Sequence, residues 1–359
     1  MKIDPALVDI IKAQKAQELS QRNFLTLKHF TPTEIHALLD LSHVTRMEVR
    51  RGLPVKFHSG KKIALLFQKD STRTRCAFEV AARDLGMDVT YIGPSGSQMG
   101  KKESIKDTAR VLGRYYDGIQ FRGHRHEDVE ILAQYAGVPV WNGLTDLYHP
   151  TQVMADFMTI RDRFGTLKDI RMAYVGDARN NVANSLLIGA AKMGMNFTIV
   201  APKELWPDPE LVAYCQEEAT LNDAQLHFTD NMQEGTLNQE VIYTDVWVSM
   251  GEPDEVWRDR IALLHPYQVT KKIMRKCSKR AIFLHCLPAF HGLDTEVGRD
   301  IAEKFGATFP AVAQGELEVT NEVFESDWSK VFDQAENRLH TIRAIMLATL
   351  KKSENYGWE

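Results

Sequence analysis

Lys62–Leu85, KIALLFQKDSTRTRCAFEVAARDL, begins with a short apolar run, Ile63-Ala64-Leu65-Leu66-Phe67. A run of that length, closed by a polar break, predicts a buried strand. Ser71-Thr72-Arg73-Thr74-Arg75 follows, and then Phe78, Ala81 and Leu85 recur at helical spacing, with Glu79, Arg83 and Asp84 on other faces. The stretch therefore predicts strand, polar turn, helix. A helix start offers unpaired backbone N–H groups and the positive end of the dipole, a natural anion site. Ser and Thr hydroxyls add donors, and arginine adds a fork matched to phosphate oxygens. The plain alternative is an ordinary Ser/Thr cap with surface arginines. The density of arginines and hydroxyls in this turn favours phosphate binding.

Outward from this stretch the same pattern repeats. Thr31-Pro32-Thr33-Glu34 opens a helix, and residues 4–20 predict another before it. Strand Asp88–Ile92 leads into a turn-rich loop, Gly93–Gly100, then a helix from about Ser104 to Arg114. Strand Gly118–Phe121 ends at Arg122, helix Glu127–Tyr135 leads to strand Val138–Trp141, and His149-Pro150-Thr151-Gln152 opens a long helix to about Phe164. A second alternation runs through strand Ile170–Val175, the turn Gly176–Asn181, a helix to Met193 and strand Phe197–Val200. Strands Val241–Thr244 and Ala281–Leu284 end at Asp245 and at His285-Cys286-Leu287-Pro288. Phe309–Glu318 reads as a loop, and a last helix runs from about Asp333 to Lys351. Two blocks of strand–helix alternation predict the α/β class, with two parallel-sheet αβα domains joined by interdomain helices. The polar clusters directly follow strands, where open α/β sheets bind ligands. Two such domains facing each other would place the active site in the cleft between them.

The composition narrows the function. A chain of 359 residues suggests two domains, and 44% hydrophobic residues are enough for substantial cores. A formal net charge of -4 gives no pull toward nucleic acid or an anionic membrane. No stretch approaches the roughly 20 apolar residues of a membrane span. Met1–Gln21 lacks an apolar signal core, and Cys76, Cys215, Cys277 and Cys286 are scattered, with no C-x-x-C. Those features fit a reducing cytoplasm and argue against a disulfide framework or structural zinc.

The clusters allow a definite chemistry. Arg73, Arg75 and Arg122 supply positive charge; Gln98, His149 and Gln152 supply neutral hydrogen bonding. That set suits a small phosphate ester or acyl phosphate, whose leaving phosphate gains charge. His149 could donate to a carbonyl oxygen or simply cap its helix, and Arg122 taken alone could be a surface residue. Gly176-Asp177-Ala178-Arg179-Asn180-Asn181 lacks G-x-G-x-x-G, which disfavours NAD. Asn180 and Asn181 could be turn and cap residues. Asp245 could hold a cation or cap its strand end. Cys286 could be a nucleophile, a metal ligand, a substrate contact or a buried structural thiol, with no Asp or Glu at metal-ligand spacing around it.

Taken together, Ser71–Arg75, His149-Pro150-Thr151-Gln152 and His285-Cys286-Leu287-Pro288 resemble the signatures of the aspartate/ornithine carbamoyltransferase family. Asp245 through Gly251 with Cys286, and the loop Ser95–Ser104, resemble the ornithine branch. The resemblance runs from about Phe24 to Leu350, with the motifs in family order. It implies transfer of the carbamoyl group from carbamoyl phosphate to the side-chain amine of L-ornithine, giving L-citrulline and phosphate in arginine metabolism. By that pattern, residues 1–150 bind carbamoyl phosphate, with a C-terminal helix of about 335–359 packed back on them, and residues 151–334 bind ornithine. Ser71, Thr72, Arg73, Thr74, Arg122, His149 and Gln152 would hold carbamoyl phosphate. Gln98 would reach it from the adjacent subunit, and Cys286, Leu287 and Arg338 would complete the site. Asn181, Asp245, Ser249 and Met250 would hold ornithine. Arg122, His149, Asp245 and Cys286 would carry catalysis.

The family pattern also implies a homotrimer or an assembly of trimers, with shared active sites and no metal or organic cofactor. An extended N-terminus and extra residues near Thr308–Glu316 depart from it and bear on assembly. Putrescine and aspartate are the competing acceptors. Aspartate would call for cationic groups where Asp245 and Ser249-Met250-Gly251 stand, and putrescine lacks the α-amino acid end that this loop is expected to hold. A non-catalytic binding protein would be favoured by loss of Arg73 or Cys286, and both are present.

Overall fold

A computed structural model describes residues 19–248 and 253–351. The helix expected over 4–20 lies outside these, save for Leu19 and Ser20, which are not helical. The chain divides into two compact units: one runs to Met158 and resumes at Glu336, and the other is Thr159–Ala335.

In the first unit the apolar run after Lys61 forms β1 (Lys62–Phe67), buried at every position after Lys62. β2 (Asp88–Ile92), β3 (Gly118–Arg122) and β4 (Val140–Leu144) complete a parallel sheet in the order β2-β1-β3-β4. The chain pairs β2 on one side of β1 and then returns with β3 on the other, so the winding reverses between β1 and β3. Such a switch point opens a crevice at the carboxyl ends of its strands. The register pairs Phe67 with Arg122 there, which brings the turn after β1 beside the end of β3. Leu66, Ile119, Phe121, Val129 and Leu132 belong to the core of this unit.

β4 begins and ends later than Val138–Trp141. Asn142 and Gly143 look like turn formers in the sequence, yet both continue the strand. The buried Asn142 amide donates to the carbonyls of Leu25 (3.0 Å) and Tyr148 (3.3 Å). A Cβ on Gly143 would lie 2.3 Å from Gln120 Nε2, so a larger residue there would have to displace the end of that buried side chain.

Helix Val331–Thr349 passes from one unit into the other along the sequence. Within the first unit its later part is tied to helices Pro32–Arg50 and Thr72–Asp84. Arg46 donates to Asn337 (2.8 Å), Arg50 pairs with Glu336 (2.7 Å) and Arg343 pairs with Asp84. His340, 4% exposed, accepts from Arg343 at Nδ1 (3.1 Å), so its proton sits on Nε2 and is donated to Glu336 (3.2 Å). Burial lowers the His340 pKa from 6.5 to about 4, and the guanidiniums of Arg343 and Arg46 add to the effect while Glu336 opposes it. The folded state refuses a proton that the unfolded chain accepts below pH 6.5. Stability from this residue is therefore present above that pH and lost as pH falls toward 4, by about 2–3 kcal/mol. Glu336, held low first by its bond from Arg50, loses stabilisation on the same acid side. His340→Gln, which keeps one donor and one acceptor, should flatten the fall in Tm between pH 7.5 and 5. Parallel Tm-versus-pH curves for variant and wild type would rule His340 out as the source.

In the second unit β5 (Arg171–Val175), β6 (Asn196–Val200), β7 (Gln225–Thr229), β8 (Val241–Thr244) and β9 (Ile282–His285) form a parallel sheet in the order β7-β6-β5-β8-β9. The winding reverses between β5 and β8, where Val175 pairs with Thr244. Ala173, Val175, Ile242, Trp257, Ile261, Phe283 and Phe290 belong to its core. β7 and helix Pro209–Leu221 are additional to the elements expected. The edge strand β7 is only partly buried, so its residues Gln225-Leu226-His227-Phe228-Thr229 carry a weak apolar signal. Phe309–Glu318, expected as a loop, contains a short 3₁₀ turn at Pro310–Val312 and buries Val312, Leu317 and Glu318. None of the described helices is long and apolar enough to cross a membrane.

Candidate active site

The first cluster lies at the switch point of the first sheet. Ser71 caps helix Thr72–Asp84, its hydroxyl accepting from the Thr74 N–H (3.3 Å). Thr72, Arg73 and Thr74 thus occupy the first turn, where backbone N–H groups remain for an anion. The register of β3 against β4 shifts between Phe121 and Arg122. Such irregularities re-aim side chains, and Arg122 donates to Thr74 Oγ1 (3.3 Å). Arg338 donates to the same oxygen (2.7 Å) and to the Gly143 carbonyl (3.4 Å). One buried hydroxyl therefore gathers two guanidiniums.

His149, 3% exposed, immediately precedes helix Pro150–Phe164. Its pKa is pushed well down, first by burial and then by the charges of Arg338, Arg122 and Arg73. At neutral pH it is an uncharged imidazole, able to donate one hydrogen bond without adding charge. Gln152, one turn further, is buried and donates to Asp156 (2.8 Å).

Gln98 stands differently. It lies exposed on the loop after β2, its carbonyl accepting from the N–H groups of Lys101, Lys102 and Glu103. Its side-chain amide makes no hydrogen bond among the described residues.

The second cluster lies at the other switch point. Gly176 ends β5 with φ +122, a conformation suited to glycine. Asn180 caps helix Asn181–Lys192, and Asn181 is that helix's first residue. Asp245 directly follows β8 and is 8% exposed. Its Oδ1 accepts from the Val246 N–H (2.8 Å) and from Cys286 Sγ (3.1 Å), and its Oδ2 accepts from Asn180 (3.3 Å). Burial raises the Asp245 pKa; His285 and the bond from Cys286 partly oppose this. Leu287 has φ +56 and donates its N–H to His285 Nδ1 (2.9 Å). Ser249 and Met250 lie outside the described residues.

Asp245, His285 and Cys286 place one donor atom each within 4.8 Å of one another, a spacing a cation could use. The ring of His285 is engaged on both sides, however. Nδ1 accepts from Leu287, so Nε2 carries the proton and donates to Glu318 (3.1 Å). Asp245 and Cys286 bond to each other, while both nitrogens of His285 are taken up by Leu287 and Glu318.

Glu318 was not among the residues singled out from sequence, although it is fully buried and its Oε1 also accepts from the Phe290 N–H (2.8 Å). Tyr174 was read only as strand core, yet its hydroxyl meets Asn180. The available signal for Glu318 was an acid between apolar neighbours, Leu317-Glu318-Val319; Tyr174 offered none.

Two parallel sheets, each with a polar cluster at its switch point, one cationic and one acidic, are the frame of a two-unit α/β enzyme. The description "Aspartate/ornithine carbamoyltransferase, carbamoyl-P binding domain" matches residues 22–162, and the "Asp/Orn binding domain" of the same family matches residues 168–349. The chain belongs to the aspartate/ornithine carbamoyltransferase family. It is 57% identical over 340 residues to a catabolic ornithine carbamoyltransferase of Treponema denticola, covering 95% of this chain and 98% of the relative. A catabolic ornithine carbamoyltransferase 1 of Staphylococcus epidermidis is 57% identical over 336 residues, covering 93% and 99%. Among solved structures, the ornithine carbamoyltransferase of Pyrococcus furiosus matches with a TM-score of 0.84 and 37% identity, over 92% of this chain and 98% of that one.

Proposed function

We propose that this chain transfers the carbamoyl group of carbamoyl phosphate to the side-chain amine of L-ornithine, giving L-citrulline and phosphate. The observation that carries this reading is the pair of guanidiniums gathered on Thr74 at a helix N-terminus, beside an imidazole held neutral, in a member of this family. Ser71, Thr72, Arg73, Thr74, Arg122, His149, Gln152 and Arg338 take carbamoyl phosphate, completed by Cys286 and Leu287. Asn181, Asp245, Ser249 and Met250 take ornithine. Residues 1–150 with the last helix then form the carbamoyl phosphate domain, and 151–334 the ornithine domain.

Only the neutral amine can attack, and a lysine-like amine has a pKa of roughly 10.4 in water. A desolvated site lowers that value, and the Asp245 carboxylate, with Cys286 beside it, orients the amine. Attack on the carbamoyl carbon forms a tetrahedral intermediate. Arg122 and the neutral His149 donate to its oxygen, and phosphate leaves against Arg73 and the helix N-terminus, as in other preorganised anion sites. The amine proton leaves with the phosphate. No covalent enzyme intermediate is needed, and Cys286 is a substrate contact.

The relatives' names favour the degradative direction, in which citrulline and phosphate yield ornithine and carbamoyl phosphate. The family pattern supports a cytoplasmic homotrimer or assembly of trimers, with Gln98 lent to a neighbour's site; its exposed, unbonded amide is compatible with that role.

The test is a side-by-side assay with carbamoyl phosphate and ornithine, putrescine or aspartate. Citrulline should form with ornithine at a kcat/KM at least about 100-fold above either rival: putrescine lacks the α-amino acid end and leaves buried polar groups unpaired, and aspartate brings a second carboxylate to Asp245 with no cationic group to meet it. Equal turnover of putrescine would overturn the assignment.

A further inference from the structure

We infer that Asn180 and Tyr174 are positioning residues for Asp245, holding its carboxylate in the orientation that receives the ornithine amine. The inference rests on the reading of Asp245 given above.

Asn180 has its amide fixed by the fold. Its Oδ1 accepts from the Ala183 N–H (2.8 Å) as the helix cap. That bond decides which end of the amide faces Asp245. With the oxygen committed to the helix, the NH₂ group faces the carboxylate and donates to Oδ2. A flipped amide would lose the cap and set oxygen against carboxylate. The second amide N–H donates to the Tyr174 hydroxyl, and that hydroxyl donates to the Asp177 carbonyl (3.1 Å). A helix cap needs only the oxygen; the two donors are additional, and both are engaged.

Tyr174 is itself closely packed. It is fully buried on β5, opposite Tyr243 of β8, and the two rings stack with centroids 6.0 Å apart. Burial, with Asp245 and Asp177 nearby, keeps its phenol protonated well beyond the ordinary range, so it serves as donor and acceptor together. The Asp177 end of the chain is anchored too: its carboxylate accepts from the Arg179 N–H (3.0 Å) and lies 3.0 Å from Arg260. The two carboxylate oxygens of Asp245 are thus held from opposite sides, Oδ1 by Val246 and Cys286 and Oδ2 by Asn180. The titratable groups acting on Asp245 are His285, Cys286, Glu318 and Tyr174.

Two substitutions separate positioning from mere capping. Asn180→Ser keeps a side-chain acceptor for the helix but removes both donors. Tyr174→Phe keeps the ring stack but removes the hydroxyl. In each, Tm should stay close to that of the wild type while KM for ornithine rises about tenfold, the size expected for one hydrogen bond to a charged group. KM for carbamoyl phosphate should stay within about twofold of wild type. A second readout needs no turnover. A held, charged carboxylate beside Cys286 disfavours its thiolate. Loosening that carboxylate should speed alkylation of Cys286 by iodoacetamide several-fold at pH 8, followed by mass spectrometry. Ornithine KM and alkylation rate both within about twofold of wild type in both variants would overturn the inference. If the wild type makes no citrulline, the substrate reading has failed, and the alkylation rates still decide whether these residues hold Asp245.

Discussion

Arg73→Ala should lower kcat by roughly 10²–10³-fold, the cost of removing one fixed donor from a site that stabilises developing negative charge. The guanidinium lies in the first turn of its helix, close enough to His149 to help hold the imidazole neutral. Its charge adds to those of Arg122 and Arg338 around that imidazole, so removing it relieves repulsion. Tm should hold or rise slightly while activity collapses. The measurement is steady-state kinetics with carbamoyl phosphate varied, beside a thermal melt; activity within about threefold of wild type would remove Arg73 from the cradle. The same variant probes the proposed sharing of sites. Refolded together with Gln98→Ala, it should regain activity above the mean of the two parents, because each mixed trimer contains one junction where a native Arg73 meets a native Gln98. Activity equal to that mean, with mixed trimers present by native mass spectrometry, would place the whole site within one chain.

Asp245→Asn should separate stability from function. The folded-state pKa of Asp245 is raised by burial above its unfolded value. The native state therefore favours the protonated form, and this residue's contribution to stability falls as pH rises through that range. At neutral pH the carboxylate is a destabilising charge, and asparagine removes it. Its NH₂ group would face the Asn180 donor from which Oδ2 now accepts, which offsets that gain, so Tm at pH 7.5 should stay close to that of the wild type. The charged partner proposed for the ornithine amine is lost at the same time. Breaking a buried charge pair costs about 3–5 kcal/mol, which corresponds to a fall in kcat/KM for ornithine of roughly 10²-fold or more. Binding of carbamoyl phosphate, measured calorimetrically, should change little. A lower Tm together with near-native ornithine kinetics would show that Asp245 is a structural cap.

How much of this was legible from sequence depends on how local each signal is. β1 and the helix after it were readable because a five-residue apolar run, a hydroxyl cap and a helical repeat are all short-range patterns. β4 was misplaced because Asn142 and Gly143 carry turn propensities that pairing with β3 and the Asn142 bond to Leu25 override. β7 was missed because a partly buried edge strand lacks the apolar run of a central one. In the candidate site, Arg73, His149, Asp245 and Cys286 stand at element ends and could be picked out by position. That Thr74 gathers Arg122 and Arg338 depends on strand register and on a helix far along the chain, which no window of sequence contains. Glu318 and Tyr174 look like loop and core residues until their partners are known.

The helix that runs from Val331 to Thr349 also orders events during synthesis. The unit translated first needs Arg338 for Thr74, Asn337 for Arg46 and Arg343 for Asp84, and all three arrive only after the second unit has been made. At ribosomal speeds of about 5–20 residues per second, the roughly 180 intervening residues delay completion by about 10–40 s. During that interval Thr74 stands without the second of its two arginines, and the emerging amino-terminal half is the part that a chaperone would meet unfinished. A message that stops before codon 336 would encode every strand of both sheets and omit the Arg338 that bonds to Thr74.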